Sequence, residues 1–311
     1  FITGGTGFVG TWLLESFVDA SQKLGLGAEV IVLSRSPDAF HKKAPHLTSL
    51  ESVQFLKGDV QEFEFPKETF THVIHAAAEV EHMRQDPLGE LSILSRGTQR
   101  VLEFAKQCKA QKFLLISSGG VYGKQPTELK KIPENYQGAP DPCDTESFYG
   151  EGKRLAELLG IQFMQQGLEV KIARGFNFVG PYLPLDAHFA IGNFIRDALR
   201  GGPIIVKGDG SSRRSYLYAA DLTVWLWVIL FRGISGRPYN VGSDHVVSMI
   251  ELARLVADIV DPTLKIEVKG KVLDSNLFDQ YIPDTERAKK ELNLKQRISL
   301  EEGVRRMVEF C

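Results

Sequence analysis

Short apolar runs alternate with stretches of helical period up to Gly180-Pro181. Phe1-Ile2-Thr3 is an apolar strand end that runs into Gly4-Gly5-Thr6-Gly7-Phe8-Val9-Gly10, and Val9, Leu13, Leu14, Phe17 and Val18 then recur at helical spacing. Five further strands are predicted at 29–33, 53–56, 71–75, 112–116 and 170–173, and one long helical pattern opens at Asp86-Pro87 and runs through Leu102, Phe104 and Ala105. Strands alternating with helices in this way predict an α/β fold built on a doubly wound parallel sheet. After Gly180-Pro181 the chain is punctuated by glycine and proline, with helices predicted near 189–200, 222–231 and 248–260. The pattern divides the chain into a domain over 1–178, to which segments near 215–245 return, and a smaller lobe over 179–311.

Composition narrows the class without naming the chemistry. Hydrophobic residues make up 43% and charged residues 24%, as in an ordinary soluble domain, and a net charge of −2 gives no electrostatic case for nucleic acid or an anionic membrane. Cys108, Cys143 and Cys311 are odd in number and form no CxxC, so a reducing cytoplasm is the expected location. The longest apolar run, 224–231, is too short to cross a bilayer. The chain opens inside a strand, so residues are expected to precede Phe1 in the whole protein.

The glycines between strand and helix bring in candidate chemistry. Gly4 suits a tight turn, Gly7 a close approach of backbone to a pyrophosphate, and Gly10 close packing of helix on strand; Phe8 and Val9 open the helix whose N-terminus would face the phosphates. The second strand ends at Ser34-Arg35-Ser36 with no acidic residue to grip a ribose. Ser34 and Arg35 could take a 2′-phosphate, which favours NADP over NAD as the dinucleotide. Asp59-Val60 follows the third strand, where the Asp59 carboxylate could accept from the adenine amino group. His75, Ala76 and Ala77 end the fourth, with small residues against which a flat cofactor could lie. His75, Glu79 and His82 match no standard zinc spacing, and no metal is expected.

Tyr149 is the only one of eight tyrosines with Lys four residues on, so phenol and ammonium share a helix face. An ammonium about 4 Å from a phenol is worth roughly 4 kcal/mol at an effective dielectric of about 20, enough to bring a group that titrates near 10 toward neutral pH. Tyr149 and Lys153 therefore read as a general base and its electrostatic partner. Ser117 and Ser118 close the fifth strand, at the edge where Tyr149 would also arrive.

Taken in order, the glycine fingerprint, Gly58-Asp59-Val60, His75-Ala76-Ala77-Ala78, Ser117-Ser118-x-x-Val121-Tyr122-Gly123 and Tyr149-x-x-x-Lys153 resemble the extended short-chain dehydrogenase/reductase family of NAD-dependent nucleotide-sugar epimerases and dehydratases. The likeness continues through Arg174-x-x-Asn177-x-x-Gly180-Pro181, Gly208-Asp209-Gly210, Arg214-x-Tyr216-x-Tyr218-x-x-Asp221 and Tyr239-Asn240-Val241-Gly242, nearly the whole chain. It implies a Rossmann domain, a nucleotide-sugar-binding C-terminal lobe and a homodimer that includes the Tyr149 helix, where Leu155, Leu158, Leu159 and Phe163 offer an apolar face. It also implies Tyr149 as proton-transfer group, Lys153 as its partner and cofactor-ribose ligand, Ser118 on the reacting hydroxyl, and Asn177 and Arg214 on the substrate diphosphate.

Departures from the family pattern shape the expected reaction. Gly119 and Gly120 stand where relatives that eliminate water carry an Asp-Glu pair and where related uronate decarboxylases usually keep a Glu; Leu94 stands where an Asn is usual; no second diphosphate arginine is found between Lys271 and Tyr281. The leading expectation is a 4-epimerase or 4-keto reductase acting on a nucleotide-sugar. The alternatives are a 4,6-dehydratase or uronate decarboxylase, with Glu79, Glu81 or Glu146 supplying the missing acid, or a cofactor-binding regulatory protein without turnover. The segment from Lys124 to Ser147, with four prolines, reads equally as a lid or as a plain surface loop.

Overall fold

The computed structural model describes residues 1–78, 85–270 and 279–311. Among them, seven strands form the main sheet: β1 (Ile2–Thr3), β2 (Val30–Ser34), β3 (Val53–Lys57), β4 (His72–His75), β5 (Lys112–Ser118), β6 (Val170–Gly175) and β7 (Pro238–Val241). Their spatial order is β7-β6-β5-β4-β1-β2-β3, with β1 parallel to β2 and β4, β2 parallel to β3, and β4 parallel to β5. The chain builds outward from β1 to β3, returns beside β1 as β4, and builds outward the other way. The switch point lies between β1 and β4, where a doubly wound sheet leaves a crevice for ligands beyond the strands' carboxyl ends.

The apolar runs are continuous because both faces of the sheet are covered: of β5, Phe113, Leu114 and Leu115 are all fully buried. Phe1 anchors one face, its ring 5.7, 5.4 and 4.7 Å from those of Phe63, Phe70 and Phe104. The strand that periodicity alone did not mark is β7, a four-residue piece far along the chain whose partner is β6.

Helix α1 (Phe8–Leu24) follows β1 and buries Leu13 and Leu14. The single long helix predicted from Asp86 is three pieces: α2 (Pro87–Ser92), a π-helical segment Ile93–Gly97, and α3 (Thr98–Gln107). The widened turn ends where Gly97 meets Val60, at which a Cβ would lie 2.8 Å from Val60 Cγ1. Helix α4 (Phe148–Gln165) carries Tyr149 and Lys153 and buries Gly150, Gly152, Ala156 and Gly160, small residues that let it come close to its neighbours. A Cβ at Gly152 would lie 2.6 Å from Leu94 Cδ1.

The chain forms two compact units. One comprises Phe1–Val121, Ala139–Arg174 and Thr223–Tyr239; the other comprises Tyr122–Gly138, Gly175–Leu222 and Asn240–Cys311. The second holds the helices Ala190–Leu199 and Met249–Val260, close to the predicted spans, and a three-stranded sheet in which Arg213–Arg214 lies between Val247–Ser248 and Gln280–Tyr281. Tyr122–Gly138 is built into this unit. Asn240 donates through Nδ2 to the carbonyls of Ile132 (2.8 Å) and Asp284 (3.0 Å), Tyr122 hydroxyl donates to Asn240 Oδ1 (2.8 Å), and Gln280 Nε2 donates to Pro126 O (2.8 Å). With Gln125 and Ile132 buried as well, residues 122–138 are tethered by the polar groups of their own unit, a role that proline content did not reveal.

Candidate functional site

At the end of β1 the turn is set by contacts that exclude side chains. Gly4 has φ +69°, and a Cβ there would lie 2.5 Å from Ala76 C. At Gly10 a Cβ would lie 2.2 Å from Gly4 O. Gly7 differs: a Cβ would meet only Gly4 O, at 3.5 Å, so the protein's own packing leaves open space beside the N-cap of α1. That cap has no side-chain hydrogen bond and no acidic residue in the first turn, so free N–H groups and the positive end of the helix dipole point there. The residues fit a dinucleotide pyrophosphate at this position. Phe8 and Val9, both partly exposed, form the first turn.

The other cofactor-side positions fall around the switch point with different degrees of freedom. Ser34 is buried and its hydroxyl accepts from Ser36 N at 3.2 Å, whereas Arg35 is exposed at the end of β2. Asp59 Oδ1 accepts from Gln61 N at 2.9 Å, a local turn, and Val60 packs against Gly97. Ala76 and Ala77 are partly exposed beyond β4. The His75 ring belongs to the core instead. Its Nδ1 lies 2.7 Å from Thr3 Oγ1 and its Nε2 3.0 Å from Thr98 Oγ1, and burial holds its pKa down to about 3. Both ring nitrogens are thus engaged by threonines of β1 and α3, so what position 75 can offer a cofactor is its backbone beside Ala76 and Ala77. Glu79, Glu81 and His82 lie outside the described residues.

Ser118, Tyr149 and Lys153 come together where β5 meets α4. Gly120 N donates to Ser118 Oγ at 3.0 Å, and a Cβ at Gly120 would lie 3.4 Å from Ser118 Oγ and 3.6 Å from Tyr149 Cδ1. Lys153 Nζ donates to Ile116 O at 2.9 Å and stands 5.7 Å from the centre of the Tyr149 ring. The electrostatics differ from the spacing argument. Burial pushes the Tyr149 phenol up to about 12, a side-chain hydrogen bond with Ser118 draws it down, and Glu90 pushes it up. Burial also lowers Lys153 to about 8, against Glu90 and Glu157, which hold it up. In the protein alone, burial thus acts on the Tyr149 phenol in the direction opposite to the lowering expected from Lys153.

Two carboxylates beside this pair escaped the sequence reading. Glu157, one turn beyond Lys153, accepts from Ser117 Oγ (2.6 Å) and takes a two-pronged pair from Arg174 Nε (2.9 Å) and Nη2 (2.6 Å). Its place in Tyr149-x-x-x-Lys153-x-x-x-Glu157 was the available signal. Glu90 in α2 is 2% exposed, and nothing in its local sequence marked it.

In the second unit, Asn177 Nδ2 donates to Ser215 O at 3.3 Å, next to Arg214. The Arg214 guanidinium donates to Arg213 O at 2.8 Å and pairs with the Asp279 carboxylate. Positive charge and a side-chain amide are thereby gathered on two neighbouring backbone segments. Glu146 is exposed in a short turn led by Asp144, whose Oδ1 accepts from Glu146 N at 2.9 Å. Among the described residues no helix is long and apolar enough to cross a membrane.

Known proteins match this architecture along its length. UDP-glucuronic acid decarboxylase 1 of Arabidopsis thaliana is 35% identical over 309 residues, covering 99% of this chain and 68% of the relative. UDP-glucuronic acid 4-epimerase from Bacillus cereus, solved in complex with NAD, superposes with a TM-score of 0.85 at 22% identity, covering 99% of this chain and 94% of that one. dTDP-glucose 4,6-dehydratase from Bacillus anthracis, also with NAD, gives 0.82 at 22% identity over the same shares. Three reactions on one fold mean that the fold does not choose among them. The model of the NAD dependent epimerase/dehydratase family matches residues 1–242, and with the relative at 35% identity this shows that the chain belongs to that family of nucleotide-sugar enzymes, the extended short-chain dehydrogenase/reductase group.

Proposed function

We propose that the chain is an NAD(P)-dependent oxidoreductase acting at carbon 4 of a nucleotide-sugar, by epimerisation or by reduction of a 4-keto sugar. The observation that carries the proposal is the grouping of Ser118, Tyr149 and Lys153 with Gly120, which has no acid or base, beside them. Tyr149 takes the proton of the C4 hydroxyl or gives one to a C4 ketone, Ser118 hydrogen-bonds that oxygen, and Lys153 holds the cofactor ribose and supplies positive charge. When bound, the nicotinamide supplies the hydride chemistry. Arg214 and Asn177 take the diphosphate, for which Arg214 exchanges the Asp279 carboxylate. Arg35 favours NADP, and Arg35→Asp then shifts preference toward NAD in binding titrations; an unchanged preference removes Arg35 from the site.

Purified protein given UDP-glucose, UDP-glucuronic acid and a UDP-4-keto sugar, with NAD+ or NADPH, is expected to convert at least one, with products read by NMR. A Tyr149→Phe protein matching wild type across that panel would sink every catalytic version. A homodimer through α4 also belongs to the proposal: Leu155 and Leu158 are 40% and 57% exposed, while Leu159 and Phe163 turn to the core. Leu158→Glu should lower the mass measured by light scattering.

A second reading, decarboxylation of UDP-glucuronic acid, is favoured by the named relative. Once C4 is a ketone, a carboxylate on C5 is β to it and leaves as carbon dioxide without a base for water elimination. Gly119 and Gly120 therefore weigh against 4,6-dehydration more than against this reaction. Release of carbon dioxide from UDP-glucuronic acid separates it from 4-epimerisation of the same substrate.

A further inference from the structure

Glu90 takes no part in the chemistry proposed above, yet its helix rests on the turn of α4 that carries Tyr149 and Lys153. We propose that Glu90 is a positioning residue of the reaction centre, a buried carboxylate that holds Lys153 as an ammonium beside Tyr149 and so sets the pH range in which Tyr149 exchanges its proton. The inference rests on the reading of Tyr149 as the proton-transfer group.

Geometry brings the carboxylate there. Glu90 sits in the first turn of α2 and is 2% exposed, a burial that glutamates rarely show without a charged neighbour. Helix α2 and the π-helical turn after it rest on α4 where Gly152 has no side chain; a Cβ there would lie 3.1 Å from Leu94 Cβ and 3.4 Å from Leu91 Cδ2. Gly152 belongs to the same turn of α4 as Tyr149 and Lys153, and Glu90 lies one turn before Leu94. Position 94 is where the family resemblance leads one to expect a polar Asn. Here it is a buried Leu, and the buried polar side chain of this stretch is Glu90, one turn earlier.

The charged surroundings favour this role. The charged and titratable groups that act on Lys153 are Glu90 of α2, Glu157 of its own helix and His75 of β4. His75 is neutral at ordinary pH, and Glu157 is paired with Arg174 of β6, which offsets its charge. Of the two carboxylates Glu90 acts more strongly on Lys153, and it also raises the Tyr149 phenol. Attraction stabilises the ammonium and repulsion opposes the phenolate, so loss of the carboxylate should move both ionisations downward.

The test compares full-length wild type, Glu90→Gln, Glu90→Asp and Tyr149→Phe. Lysine 13Cε NMR, with the Lys153 signal assigned through Lys153→Met, reads the ammonium directly; turnover of the active panel substrate is measured against pH. In Glu90→Gln the Lys153 midpoint should fall by about one pH unit or more, both limbs of the turnover profile should move to lower pH, and Glu90→Asp should restore most of the shift. Glu90→Met, similar in volume and free of polar hydrogen-bonding atoms, gives the same reading should Gln not fold. An unmoved Lys153 midpoint in a folded variant overturns the proposal, as does a rate reduced by one factor at every pH. Turnover surviving in Tyr149→Phe defeats the catalytic reading alone, because the Lys153 titration stands apart from it.

Discussion

Two glycine-bearing turns close neighbouring parts of the same sheet edge, and they are glycine for different reasons. After β1, Gly4 and Gly10 are required by contact: a Cβ would strike backbone at 2.5 and 2.2 Å. After β5, Gly120 has ordinary van der Waals room, 3.4 Å to Ser118 and 3.6 Å to Tyr149. The first turn is locked by geometry and backed by the fully engaged His75. The second is partly buried and lies beside groups displaced from their usual pKa, and its Gly120 answers no steric need.

The largest effect should come from beside the second turn. Tyr149→Phe is expected to lower turnover by about 10²–10⁴ with an unchanged melting temperature, measured by steady-state kinetics and calorimetry. Next, Gly10→Ala should cost about 2–3 kcal/mol in denaturant unfolding and weaken dinucleotide binding, since helix and turn must separate to admit the methyl. A Gly10→Ala protein as stable as wild type breaks the comparison.

The His75 support gives a pH signature. Its pKa in the folded chain, about 3, lies below the ordinary value of 6.5, so the unfolded chain binds the proton first as pH falls. The stabilisation is complete above about 6.5 and is lost progressively toward 3, at up to about 1.4 kcal/mol per pH unit, or about 2 kcal/mol by pH 5. A His75→Gln protein should show a flatter decline in urea midpoints across that window; equal slopes would remove His75 as the cause. The smallest effect is expected at Gly120→Ala, under about 1 kcal/mol in the same unfolding measurement. Gly120→Glu should also fold, and elimination of water from a 4-keto intermediate by that variant would sharpen the view that this glycine is a chemical choice.

Much of the fold was legible because it is written locally. Apolar runs of strand length, glycine at the β1 turn and the spacing of Tyr149 and Lys153 are properties of neighbouring residues. The break of one helical pattern into α2, a π-helical turn and α3 was hidden because apolar periodicity continues across it; contact of Gly97 with Val60 lies there. Strand β7 was hidden because four residues carry too little periodic signal without β6 beside them.

By itself the sequence determined most of the strands and helices, the glycine turn after β1 and the spacing of Tyr149 and Lys153, since side-chain spacing and backbone sterics act over a few residues. Only the tertiary structure decided how those groups are charged. Burial raised Tyr149 and lowered Lys153, two threonines closed His75 into the core, and a helix resting on Gly152 brought in Glu90. Solvation and long-range charge depend on what surrounds a residue in space, and spacing along the chain does not carry that information.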